Sequence, residues 1–76
     1  MHELCTYQVE VRGQVDENAF NASSPLQVTV VQVDADEEHP SASTLLTIYT
    51  DQSGLIGLIR HLHRLGFVLL SVYRER

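Results

Sequence analysis

Thr44-Leu45-Leu46-Thr47-Ile48-Tyr49-Thr50, then Asp51-Gln52-Ser53-Gly54-Leu55-Ile56-Gly57-Leu58-Ile59-Arg60-His61-Leu62-His63-Arg64-Leu65, then Gly66-Phe67-Val68-Leu69-Leu70-Ser71-Val72-Tyr73-Arg74, run without a break through the second half of the chain. In the first block Leu46 and Ile48 alternate with Leu45, Thr47 and Tyr49, the period of two that marks a strand. The second block changes period: Leu55, Leu58, Ile59, Leu62 and Leu65 fall on one helical stripe, widened by Ile56, with Arg60, His61, His63 and Arg64 on the wetter side. Asp51 or Ser53 can cap the start of this helix, and Gly66 stands where a left-handed residue ends one. The third block, 67–74, is apolar on both faces as far as Tyr73, which reads as a strand inside a sheet.

Upstream, residues 6–15 alternate with Tyr7, Val9, Val11, Gly13 and Val15 on one side and Thr6, Gln8, Glu10, Arg12 and Gln14 on the other, a strand with one wet face. Gly13 within the apolar row implies a bulge or a close approach by another element. Asp16 can cap one or two helical turns that tuck Ala19 and Phe20 beneath the sheet, ended by Ser23-Ser24-Pro25. Residues 26–34 form another strand whose phase shifts: Leu26, Val28 and Val30 share one face, Val31 and Val33 the other. Either a bulge lies near Val30-Val31, or the far end buries both faces. The acidic segment 35–41, ending in His39-Pro40-Ser41, reads as a hairpin tip.

A strand-helix-strand unit needs its two strands parallel, and the first strand fits between them. The expected fold is therefore α+β: one domain over residues 1–76, with a four-stranded, mainly antiparallel sheet and one main helix on one face. This is a truncated ferredoxin-like β(α)ββαβ arrangement whose first helix is a stub. Part of one sheet face is left without a cover.

The segment from Leu46 to Ile59, with Gly66 to Val72, resembles the strand-helix-strand opening of ACT domains. Asp51, Gly54, Leu55, Leu62, Gly66, Ser71 and Val72 fit that family's cadence of an acidic residue, a turn into Gly-Leu, an amphipathic helix, a Gly and a strand ending near Ser-Val. The chain also looks like small uncharacterised bacterial proteins with a similar ending. It departs from the ACT pattern at Gln52-Ser53, at Phe67-Val68, and in carrying the unit at the end of the chain. The resemblance implies an amino acid or small carboxylate held at the loop Gln52, Ser53, Gly54 and Leu55. The first amides of a helix suit an anion, although Asp51 or Ser53 serving as a simple cap accounts for the same residues.

Composition narrows the function. Ten acidic residues against five arginines give a net charge of −5, which opposes binding to nucleic-acid phosphates. No apolar run approaches the ~20 residues of a membrane helix, and Met1 to Cys5 lack the pattern of a signal peptide, so the cytoplasm is the expected compartment. A single cysteine forms no internal disulfide. His61 and His63 diverge by about 200° on a helix and do not face one metal. Ser53, His61 and Asp51 are a hydrolase's residue types, but His61 lies about 12 Å along the helix from Ser53. No cofactor, no metal and no enzymatic activity are expected. Tyr7, Tyr49 and Tyr73 fall on three strands, as a patch on the open sheet face or as closers of a core or dimer seam.

A chain this short buries only about 60% of its unfolded surface, and without disulfide or metal the remaining stabilising route is self-association. The sequence thus leads to a non-catalytic binding or protein-interaction module that homodimerises through its sheet, with Val31, Val33, Leu45 and Tyr49 as interface residues. The alternative is an ACT-like regulatory sensor.

Overall fold

The computed structural model describes residues 3–24, 26–38 and 40–75. Its elements follow in the order β1 (Cys5–Arg12), α1 (Glu17–Ser23), β2 (Thr29–Val33), β3 (Ser43–Thr50), α2 (Gln52–Arg64) and β4 (Leu69–Glu75). The four strands form one sheet in the order β2-β3-β1-β4. Every neighbouring pair is antiparallel, so β3 and β4 run parallel with β1 between them. This is the expected α+β, ferredoxin-like βαββαβ topology. Pro25 and His39, read from the sequence as turn residues, lie outside the described residues.

Alternation on β1 and β3 sends Tyr7, Val9 and Val11, with Leu46 and Ile48, to the face that both helices cover. There they pack with Phe20 of α1, Leu58 and Leu62 of α2, and Val15 and Val28 from the connections. Asp16 caps α1 by accepting from the Asn18 amide at 3.2 Å. Two turns suffice to bury Phe20 and no more.

The main helix is bounded as its sequence dictates. Asp51 accepts from the Gly54 amide at 2.8 Å at the start. At the end Phe67 N donates to Leu62 O and Gly66 N to His63 O, the paired bonds of a Schellman ending, with Gly66 at φ +89°. The core-facing stripe is narrower than the sequence suggests. Leu58 and Leu62 are buried and Leu55 is packed against the core, but Ile56 and Leu65 are each half exposed.

Three expectations are corrected. β4 is an edge strand, although apolar residues on both its faces read as those of an interior one. β2 carries no bulge: its register runs unbroken from Thr29↔Thr47 to Val33↔Ser43. The sheet's register shift lies instead between β1 and β4, where Glu10 pairs with Ser71 and Val11 with Leu69, leaving Leu70 as the extra residue. β1 itself ends at Arg12, and Gly13 turns the chain at φ +89° rather than sitting within a strand. The loop that follows is tied back to β3 by the buried Thr44 hydroxyl, which accepts from Val15 N at 3.2 Å and reaches Gly13 O at 2.7 Å.

Candidate interaction surface

At the start of α2, Asp51 caps the first turn and Gly54 lies close against Thr50. A Cβ on Gly54 would collide with the Thr50 side chain and come within 3.2 Å of Leu26, so this glycine lets the helix sit down on β3. Leu55 faces the core, while Gln52 and Ser53 are exposed. Gln52 also lines a cleft of about 90 Å³ with Glu3, Cys5, Tyr7 and Arg74, small beside the roughly 300–1,000 Å³ of typical ligand pockets.

His61 does not lie on a wet face. Its ring meets Phe20 edge-on, with centroids 5.4 Å apart, and so joins α2 to α1. Its Nε2 is buried without a hydrogen-bond partner among the described residues. His63 is exposed, and among the described residues no group of three or more His, Cys, Asp or Glu side chains is placed to hold a metal. Among the described residues no helix is long and apolar enough to cross a membrane.

The sheet face opposite the helices gathers the interface residues read from the sequence. Val31 lies directly across from Leu45, Val33 across from Ser43, and Tyr49 projects from the other end of β3. Val31 is 50% and Tyr49 67% exposed, while Leu45 is half-buried among its neighbours. Tyr73 of β4, opposite Gln8, joins them. Tyr7 does not: its parity on β1 is that of Val9, and it is buried in the core, so the three tyrosines form no common patch.

In the middle of this face stands Glu10. Its carboxylate accepts from Ser43 Oγ at 2.8 Å and from Ser71 Oγ at 3.2 Å, so one side chain of the central strand ties together both flanking strands. The sequence reading placed Glu10 on the wet face but could not see this clamp, because neither serine is near it in the chain.

The two edges of the sheet differ. Along β2, Val30 N donates to the Glu17 carboxylate at 2.8 Å. Just before it, Asn21 donates to Val28 O at 3.1 Å and accepts from Val28 N at 2.9 Å. Side chains of α1 thus stand in for a neighbouring strand. Along β4 no such contact exists among the described residues. Beside it, between β4 and α2, runs an open groove of about 650 Å³, floored by Leu62, Phe67 and Leu69 and rimmed by Ile59, Arg60 and Arg64.

No curated protein and no solved structure matches the chain. One family model, described as Domain of unknown function (DUF8691), matches residues 6–73, from the first residues of β1 to Tyr73 of β4. That span takes in both helices and all of the sheet but the outer ends of β1 and β4, and the chain belongs to the DUF8691 family.

Proposed function

We propose that this domain is a non-catalytic interaction module that forms a homodimer through its sheet. The observation that carries the reading is the apolar surface that the sheet leaves exposed, Val31, Val33 and Tyr49 beside Leu45 on the open face and Leu69, Leu70, Val72 and Tyr73 along β4, while the other face holds the core. Apolar side chains grouped on one face favour a protein contact, each contributing about 25 cal/mol per Å² of surface removed from water. Glu10, held between two serines, places a fixed carboxylate in the middle of that face. In this reading the side chains gathered on the face bind, and none does covalent chemistry.

A dilution series followed by amide shifts tests it. Self-association moves the shifts of sheet residues as the concentration falls and leaves those of the buried helix positions Leu58 and Leu62 in place. Shifts that stay constant across the sheet at every concentration would contradict the reading.

A further inference from the structure

Resting on the homodimer reading, a finer assignment follows from the two sheet edges: we infer that the seam is the free edge of β4, paired antiparallel with β4 of a second copy about a twofold axis near Val72. A strand edge is a row of unsatisfied N–H and C=O groups and a template for another strand. β2 is blocked as such a template at its start, because Glu17 accepts from Val30 N and Asn21 holds both backbone groups of Val28 just before the strand. β4 carries no covering side chain among the described residues. One open and one closed edge per chain give an assembly that stops at two copies, rather than a filament.

The side chains of β4 argue the same way. Leu69 and Val72 lie on the helix side, 42% and 40% exposed, while Leu70 and Tyr73 lie on the open face, 43% and 53% exposed. Leu69 borders the groove beneath α2, and Leu70 borders a cleft with Glu10 and Ser43. A strand half exposed on both faces lacks a neighbour in the plane of the sheet, and a cover on either face alone would satisfy only half of it. A paired strand sets side chains about 4.5–5.5 Å away on both faces at once.

The contact is self-complementary. About a twofold at Val72, Val72 meets its own copy on the helix side and Ser71 stands opposite Tyr73 of the second copy on the open face, so no like charges meet. A seven-residue strand pair is about 24 Å long. Ile56 and Ile59, one turn apart on α2, extend the seam on the helix side towards the roughly 600 Å² per partner that a specific interface needs. The two open faces then join into one eight-stranded surface, with a Glu10 clamp in each half.

The test combines mass and edge mapping on the full chain. Sedimentation equilibrium is run on the unmodified chain, Val72→Lys and Val31→Lys, each checked for a dispersed amide spectrum. A charge on the seam is expected to weaken dimerisation by about 10-fold or more for Val72→Lys and to leave Val31→Lys dimeric. If Val72→Lys fails to fold, Val72→Cys in a Cys5→Ser background gives a second readout: oxidation yields a covalent dimer when the two strands face each other. A dimer broken by Val31→Lys but not by Val72→Lys, with no cross-link at position 72, would overturn the edge assignment and leave the sheet-mediated dimer standing. A monomer at every concentration would overturn both.

Discussion

The backbone N–H of Val30 donates to the carboxylate of Glu17 at 2.8 Å, closing the outer edge of β2 with a side chain from the helix that precedes it. A seven-residue helix adds little core, burying only Phe20. Its larger contribution is this edge, where Asn21 repeats the device two residues upstream by bonding both backbone groups of Val28.

Removing that cover has two expected effects. Asn21→Ala breaks two bonds to partly buried backbone groups and costs about 1–3 kcal/mol in a denaturant titration. Glu17→Ala with Asn21→Ala also opens a second edge. Species larger than a dimer are then expected in size-exclusion chromatography with light scattering, and none for the unmodified chain.

Gly54 carries a second prediction. Its backbone suits alanine, a better helix former, yet the added Cβ would strike the Thr50 side chain, which is buried. Gly54→Ala is expected to destabilise by about 1–3 kcal/mol through overpacking. Thr50→Ala in the same chain removes the obstacle, so the double variant should be more stable than the sum of the single effects allows. Strict additivity in thermal denaturation would show that the contact is not the cause.

The core and the buried Thr44 hydroxyl give a third. Leu58 is fully buried against the sheet, and Leu58→Ala is expected to cost about 2–5 kcal/mol. Thr44→Val keeps the volume but strands Val15 N and Gly13 O, for about 1–3 kcal/mol. A cost near zero in urea unfolding would mean that water replaces the hydroxyl, which has no exposed surface in the folded chain.

Much of this fold is legible in the sequence because periodicity reports which face of an element is covered. Leu46 and Ile48 against Tyr49, and Tyr7 with Val9 against Gln8, are sorted correctly by parity alone. Grouping the tyrosines by residue type ignored that parity, and Tyr7 went to the core. Periodicity does not report what does the covering. Leu69, Leu70 and Val72 ask for neighbours on both faces, which reads as an interior strand, while the chain's own topology puts them at an edge. His61 sits on the polar side of the helix pattern, and only the placement of α1 brings Phe20 against it. The Glu10 clamp joins residues 33 and 61 positions away, beyond any local signal.

The most direct measurement for the account as a whole is sedimentation equilibrium of the unmodified chain from micromolar concentration to about 1 mM, where a contact worth only about 4 kcal/mol is half formed. The expected mass rises with concentration from that of the 8.6 kDa chain to twice that value and no further. A mass that stays at 8.6 kDa throughout would contradict it, and the exposed sheet residues would then need another explanation.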